Sequence, residues 1–390
     1  MSKLVSVIDY GTSKIACVTA QASNDGTYDV IGYGCVPYAG YDDGQWNEPT
    51  KLHEVTQSVL QEAGIIARKK IRKIYVSVPG DYTQVFNYRV STDILSADRR
   101  VTQDDIQKLV FRPPAPDKKS TLALLHRKPV YYTLDAQDRI YEPLGERTTS
   151  VSAMISMIHA DKRFLSQVNK VMDYIGVDTK GYVSSVIGQS SYMIPKQERE
   201  RGCVLIDTGF ATTTVSLLQG NGILYMKTIP FGAKQIIMDM MEELNIPYTE
   251  ADTLKRRYVF GLDNQSGQMQ LMQVMDRTDK VRTYQTSLLT EVIEGRMDEI
   301  IKEIDNVITQ SGFQLANHSI VYLTGGGFAM MNGIRQYASS ILKRNVQVLL
   351  PQSPRINNAV YANVLGALDY ICARGAEQNA FGMVQKRISL

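Results

Sequence analysis

The chain has 390 residues, of which 44% are hydrophobic and 21% charged, and this composition predicts a globular protein of two or more domains. The net charge of +3 is too small to indicate nucleic acid as a partner. The sequence contains no run of eighteen apolar residues, so no transmembrane helix is predicted. The first residues lead into a predicted strand rather than a secretory leader, and the four cysteines lack disulfide or zinc-site spacing, so a cytoplasmic location is expected.

The N-terminal part of the chain predicts a sheet with one covering helix. Residues 4–36 alternate between apolar runs and turns that contain Gly or Asn, which is typical of antiparallel strands. Residues 51–67 carry apolar side chains at helical spacing. A further strand is predicted at Ile74–Val78, before the turn signal Pro79-Gly80.

The composition changes between residues 80 and 160, which predicts a small insert with its own sheet. Thr102 is followed by acidic residues in what would be a first helical turn, as expected of a helix N-terminus. A proline-rich loop follows, and residues 131–144 predict paired edge strands.

The remainder of the chain repeats the first pattern. A helix is predicted at about 162–175 and a strand hairpin begins at residue 203. Residues 233–316 are predicted to be mostly helical, with an apolar stripe clearest between Val292 and Ile308. A strand at Ile320–Leu323 then precedes another helix. Strands that alternate with helices in two related halves predict an α/β fold with a cleft between two lobes.

One motif occurs twice and is the strongest indication of function. Val7–Thr12 and Leu205–Phe210 are apolar runs that end in Asp-x-Gly, and each is followed by hydroxyl residues and a second apolar run. This pattern predicts two hairpins whose turns present backbone N–H groups and hydroxyls to an anion. Two such hairpins could hold a polyphosphate from opposite sides, although either one alone is equally typical of an ordinary polar turn.

A third glycine-rich segment, Thr324–Gly327, lies between a predicted buried strand and a helix. Alone it is also typical of a tight strand–helix turn. The order of the three segments resembles the actin/Hsp70/hexokinase ATPase superfamily, in which two phosphate loops precede an adenosine-binding motif.

The inserted segment narrows this resemblance to FtsA, the bacterial actin-like cell-division family. The similar stretches in the insert are Arg100–Ile106, His126, Pro129–Tyr132, Leu134–Asp135 and Pro143–Gly145. Two later stretches, Asp252–Tyr258 and Val292–Ile300, are similar as well. The resemblance covers roughly residues 4–370. The pilus-assembly protein PilM shares the layout but fits the insert less well.

The resemblance implies an actin-like ATPase fold with a small α+β subdomain in the insert. Subdomain IA is expected at 1–79 and 162–199, IC at 80–161, IIA at 200–232 and 317–374, IIB at 233–316, and a tail with a possible membrane-targeting segment at 375–390. The resemblance to FtsA also implies a homopolymer filament that contacts FtsZ and later division proteins and links the division ring to the inner face of the membrane.

The ligand implied by the resemblance is ATP or ADP with Mg²⁺. The first loop would contact the phosphates through Asp9, Gly11, Thr12, Ser13 and Lys14. The second would use Asp207, Gly209, Thr212 and Thr213. Asp252, Lys255, Gly325, Gly326 and Gly327 are expected to surround the nucleoside. Asp9 and Asp207 are the predicted Mg²⁺ ligands, through water, because this ion keeps much of its hydration.

The second loop departs from the family pattern where catalysis would occur. The family usually has Asp-x-Gly-Gly-Gly-Thr-Thr-Asp, whereas this chain has Phe210 and Ala211 in place of two glycines and Thr214 in place of the last carboxylate. Ser185 and Val186 stand where the family has Glu-Pro. No catalytic residue is therefore assigned, and we expect slow ATP hydrolysis or none, since loss of an acid or base lowers rates by about 10²–10⁴-fold.

The C-terminal tail is a second departure and leaves two interpretations. Phe381, Val384 and Ile388 have the spacing of a weak interfacial helix at 380–390, and a disordered tail is the alternative. The remaining functional alternatives are a PilM-type pilus scaffold, an actin-superfamily kinase or phosphohydrolase, and a pseudo-ATPase that binds no nucleotide.

Overall fold

The structure is a computed structural model that describes residues 3–42, 45–46, 49–117, 119–135, 138–261, 271–313, 315–316 and 319–376. The strands of this part of the chain are β1 (Lys3–Tyr10), β2 (Lys14–Ala22), β3 (Tyr28–Pro37), β4 (Tyr41–Asp42), β5 (Gln45–Trp46), β6 (Lys73–Val78), β7 (Thr83–Asp93), β8 (Leu122–Leu134), β9 (Arg139–Ile140), β10 (Ser150–Asp161), β11 (Asp178–Ser184), β12 (Cys203–Thr208), β13 (Thr213–Gln219), β14 (Gly222–Ile229), β15 (Leu271–Met275), β16 (Val281–Gln285), β17 (Val321–Thr324) and β18 (Val346–Val348). The helices are α1 (Pro49–Ala67), α2 (Gln103–Phe111), α3 (Lys162–Ile175), α4 (Ser185–Met193), α5 (Lys196–Arg201), α6 (Ala233–Glu243), α7 (Tyr248–Arg257), α8 (Thr286–Gln310), α9 (Ile334–Leu342) and α10 (Ala362–Ala376).

Two five-stranded sheets with the same topology form the two lobes. The first has the order β3-β2-β1-β6-β11 and the second the order β14-β13-β12-β17-β18. In each sheet the first three strands are antiparallel and the last two run parallel to the strand that ends in Asp-x-Gly. The sequence repeat therefore extends from the hairpin to the whole sheet, and the predicted two-lobed α/β fold is confirmed.

Both connections between the lobes pass through helices that pack against each other. α4 follows β11 of the first sheet and leads through α5 to β12 of the second, while α10 follows the second sheet and packs on β1 and β2. The two helices touch at Gly188 and Gly366, where a Cβ on either glycine would lie 2.6–2.7 Å from the backbone of the other helix. This contact allows almost no sliding, because interiors tolerate little overlap.

The insert forms a separate sheet with the order β7-β10-β8-β9, covered by α2. The predicted start of α2 is confirmed: Thr102 Oγ1 accepts a hydrogen bond from the Asp105 N–H at 3.3 Å, and Asp105 Oδ2 accepts one from the Thr102 N–H at 2.9 Å. The prediction of paired edge strands over residues 131–144 is partly wrong. β8 is thirteen residues long and begins well before residue 131; β10 pairs along its length on one side, and the two-residue β9 pairs with Tyr132 and Thr133 on the other side and forms the edge.

The insert also contacts the second lobe. Asn87 Nδ2 donates to the Leu224 carbonyl oxygen at 2.7 Å, and Ser156 Oγ donates to the Ile223 carbonyl oxygen at 2.8 Å. Gly220 adopts a left-handed φ of +58°, and a Cβ there would lie 2.0 Å from the Val130 carbonyl oxygen. The turn between β13 and β14 is thus fitted closely against the insert.

Residues 233–316 contain one feature that the sequence did not indicate. The apolar stripe on α8 is buried as predicted, but β15 and β16 form a hairpin between α7 and α8. The buried Asp276 organises its turn by accepting hydrogen bonds from the N–H groups of Thr278 and Lys280. The strand was missed because β15 is rich in Met and Gln, which favour helices.

Among the described residues, no helix combines the length and apolar character needed to cross a membrane. The predicted membrane-targeting segment at 380–390 lies outside the described residues. The subdomain boundaries stay predictions.

Candidate nucleotide-binding site

Both Asp-x-Gly hairpins end in the same four-residue turn. The Gly11 N–H donates to the Lys14 carbonyl oxygen at 3.0 Å, and the Gly209 N–H donates to the Thr212 carbonyl oxygen at 2.8 Å. A Cβ on either glycine would lie 2.8–2.9 Å from that same oxygen. Glycine is therefore required to close the turn, and the N–H groups available to a ligand are those that follow it.

The second turn keeps this geometry although Phe210 and Ala211 replace two family glycines. The N-terminus of α6 holds it, since the N–H groups of Ala233 and Lys234 donate to the carbonyl oxygens of Gly209 and Phe210 at 3.2 and 2.7 Å. With these carbonyls turned toward α6, the Ala211 N–H faces the first lobe. The second turn therefore has the same closing hydrogen bond as the first, with Phe210 and Ala211 inside it.

The two turns meet across the cleft. The Ala211 N–H donates to Thr12 Oγ1 at 3.0 Å, which joins the second loop directly to the first. Lys14 reaches across as well, because its Nζ lies 3.0 Å from where a Cβ on Gly326 would be. Partial burial lowers the pKa of Lys14.

Asp9 is buried and Asp207 is half-buried at the back of this cleft. Burial raises the pKa of Asp9 to about 7, although the Ser77 hydroxyl and the Asn363 amide partly favour the charged form. Burial likewise raises the pKa of Asp207 to about 6, against the opposing effect of Gln189. Two desolvated carboxylates on facing hairpins form a site that a cation would stabilise.

The donor set fits Mg²⁺ that is held mainly by phosphates and water. Carboxylates are suitable ligands, and Mg²⁺ bound with a nucleotide commonly contacts a protein through only one or two of them. No cluster of three or more His, Cys, Asp or Glu side chains in the described part of the chain could bind a metal by itself. Asp9 and Asp207 would hold the ion, which would neutralise phosphate charge when bound.

The third glycine segment packs against the second hairpin. Gly325 has a φ of +96°, and a Cβ there would lie 2.4 Å from Asp207 Oδ1, so only glycine fits beside the carboxylate. The Gly327 N–H donates to the Thr208 carbonyl oxygen at 2.8 Å. Gly327 therefore supports the loop from behind rather than lining the cleft.

α7 closes the outer side of the cleft. Lys255 is buried and its Nζ donates to the Gly327 carbonyl oxygen at 2.8 Å, and burial lowers its pKa to about 8. Arg256 pairs with Asp252 at 2.7 Å. Lys255 thus holds the glycine segment, while the Asp252–Arg256 pair faces the cleft.

The structure brings most of the predicted site residues to one cleft. Those that line it are Asp9, Gly11, Thr12, Ser13, Lys14, Asp207, Gly209, Thr212, Asp252, Lys255, Gly325 and Gly326. Thr213 and Gly327 do not line it. Thr213 is fully buried, because it lies in β13 and its side chain points to the opposite face of the sheet from those of Thr212 and Thr214.

Sequence reasoning missed three polar residues. Asp81, just after Pro79-Gly80, accepts a hydrogen bond from Thr212 Oγ1 at 3.0 Å and so places a carboxylate in the cleft. Gln189 donates to Asp207 at 3.0 Å, and Asn363 donates to Asp9 at 3.3 Å. The only sequence signal for Asp81 was its place after a turn, and the two amides had none.

Comparison with solved structures defines the fold class. A PilM–PilN type IV pilus biogenesis complex matches with a TM-score of 0.64 at 15% identity, covering 95% of this chain and 98% of that one. MreB5 of Spiroplasma citri bound to ADP matches with a TM-score of 0.56 at 11% identity, covering 97% and 99%. The chain therefore has the actin-like ATPase fold.

Sequence comparison finds relatives within this class. The model of "Cell division protein FtsA" matches residues 204–366. FtsA of Escherichia coli K12 is 23% identical over 99% of this chain and 94% of its own length, and FtsA of Pseudomonas aeruginosa is 24% identical over 98% and 91%. FtsA of Bacillus subtilis is 21% identical over 94% and 82%. The chain is therefore similar to FtsA proteins over nearly its whole length, which confirms the resemblance found in the sequence.

Proposed function

We propose that this chain is an actin-like scaffold protein of bacterial cell division that binds ATP or ADP with Mg²⁺ between its two lobes. The observation that carries the proposal is the meeting of two Asp-x-Gly turns closed by the same hydrogen bond and joined by the Thr12–Ala211 contact, with Lys14 and the carboxylates of Asp9 and Asp207 between them. N–H groups, hydroxyls and one lysine in such a turn pair match the acceptors of a polyphosphate.

The family supports the rest of the proposal. As an FtsA-type protein, the chain would polymerise with itself, contact FtsZ and later division proteins, and act in the cytoplasm at the inner face of the membrane. The PilM-type pilus scaffold remains the alternative, but the PilM likeness is one of fold alone, whereas the similarity in sequence is to division proteins such as FtsA of Escherichia coli. Co-sedimentation with FtsZ filaments would support the division role, and its absence at micromolar concentrations would contradict it.

Nucleotide binding is tested by the thermal stability of the purified protein with ATP and Mg²⁺. A ligand at 100 times its dissociation constant adds about 2.7 kcal/mol to the free energy of unfolding, so a clear rise in Tm is expected. Lys14→Met should weaken binding roughly tenfold to hundredfold, as expected for loss of a charged hydrogen bond. Lys108→Met, at an exposed position on α2, is the matched control. Absence of any shift with ATP or ADP would refute nucleotide binding.

A further inference from the structure

A continuous line of hydrogen bonds joins the two hairpin carboxylates behind the cleft. Asn363 Nδ2 donates to Asp9 Oδ2, and Gln189 Nε2 donates both to Asn363 Oδ1 and to Asp207 Oδ2. We call Gln189 and Asn363 the amide relay. Its orientation is fixed by chemistry: an ionised carboxylate only accepts, so each amide must turn its nitrogen toward its aspartate.

The relay lies at the close contact between α4 and α10. Gln189 is fully buried and follows Gly188, and Asn363 lies one turn before Gly366, so both amides flank the close contact between α4 and α10. Asp9 belongs to the first lobe and Asp207 to the second. The relay therefore sets the positions of both carboxylates relative to the same pair of helices.

Each carboxylate uses its Oδ2 in the relay, which leaves its Oδ1 for other contacts. Asp9 Oδ1 is buried and has no hydrogen bond of normal geometry among the described residues, although the Ser77 hydroxyl lies close enough to stabilise its charge. Asp207 Oδ1 lies beside the glycine segment at Gly325. A buried carboxylate oxygen without a full set of partners is unfavourable unless a cation or its bound water completes it.

We propose that Gln189 and Asn363 are positioning residues that hold Asp9 and Asp207 in the orientation needed to receive the hydrated Mg²⁺ of a bound nucleotide. This inference rests on the proposed nucleotide-binding function. Groups that hydrogen-bond to metal-binding carboxylates orient them, and loss of such a group typically lowers metal affinity 10- to 100-fold. The relay would supply this orientation for both lobes at once.

The test is a Mg²⁺ titration of the binding of mant-ATP, a fluorescent ATP analogue, to the full chain. Gln189→Met keeps the side-chain length and removes the donor, and Asn363→Ala removes the second amide at a less buried position. Ser190→Ala is the control, since this neighbouring hydroxyl bonds only to the backbone of its own helix. Both relay variants should raise the Mg²⁺ concentration at half-maximal binding 10- to 100-fold. Their mant-ATP affinity in EDTA and the behaviour of the control should stay unchanged.

The outcomes distinguish the positioning role of the amide relay from nucleotide binding itself. A uniform loss of affinity, equal in EDTA and in Mg²⁺, would show that the relay only supports the fold and would overturn the inference while leaving nucleotide binding intact. An unchanged Mg²⁺ midpoint in Asn363→Ala would overturn it too, even if Gln189→Met fails to fold. Wild-type protein that binds no mant-ATP at any Mg²⁺ concentration would refute the proposed function, and the inference with it.

Discussion

Replacing Asp9 with Asn should stabilise the ligand-free protein at neutral and alkaline pH. Burial raises the pKa of Asp9 from 3.8 to about 7, so the folded state holds this proton more tightly than the unfolded chain does. The contribution of Asp9 to the free energy of unfolding is therefore most favourable below pH 4, and this contribution is lost as the pH rises toward 7. At about 1.4 kcal/mol per pH unit, ionised Asp9 costs on the order of 4 kcal/mol above pH 7. Asparagine has no charge to desolvate and can still accept from Asn363.

The assay is urea denaturation in EDTA at pH 5 and pH 8, with wild type, Asp9→Asn and the exposed-site control Asp98→Asn. With an m value of roughly 3 kcal/mol per molar urea, Asp9→Asn should raise the midpoint by about 1.3 M at pH 8 and by about 0.5 M at pH 5, where part of the cost of ionisation is already present. The reasoning is refuted if Asp9→Asn is no more stable than wild type at pH 8, or if its gain is the same at both pH values. The control should not change the pH dependence.

Three further predictions concern the insert contact, catalysis and the tail. Gly220→Ala should destabilise the protein by roughly 1–3 kcal/mol more than Gly145→Ala in thermal denaturation, because only the first places a Cβ 2.0 Å from a backbone oxygen, while both have left-handed φ. Equal losses would show that the fit against the insert is unimportant. A phosphate-release assay should give turnover well below ~1 s⁻¹, and turnover at or above this rate would contradict the expected slow hydrolysis. Deletion of residues 380–390 should reduce sedimentation of the polymer with anionic liposomes if the tail anchors it, and unchanged sedimentation would exclude that role.

Local patterns were enough to predict the elements that position the site. Alternating apolar residues with Asp-x-Gly identified both hairpins, and the cap at Thr102 identified α2. Each of these depends on contacts between residues close together in the sequence, so a short window contains the relevant information. The order of three such segments then indicated the fold.

The two amides of the site, Asn363 and Gln189, were not predicted because their contacts join residues that lie far apart in the sequence. Asn363 meets Asp9 only because α10 returns to the first lobe after the chain has built the second. Gln189 meets Asp207 because α4 crosses between the lobes, and its neighbours in sequence are ordinary helix residues. Ser185 and Val186 stand where the family has Glu-Pro, but neither lines the cleft, and Gln189 makes the polar contact one turn later.

The altered second loop closes in the same way as the first. Although Phe210 and Ala211 stand where the family has glycines, Gly209 alone closes the turn, and α6 fixes the following carbonyls. Its Ala211 N–H, however, already donates a hydrogen bond to Thr12 Oγ1 of the first loop. A typical hydrogen bond contributes a net 0.5–1.5 kcal/mol, less than a charge-assisted bond to phosphate at about 1.5–3 kcal/mol. In the proposed nucleotide complex, a phosphate oxygen would therefore replace Thr12 Oγ1 as the acceptor of the Ala211 N–H.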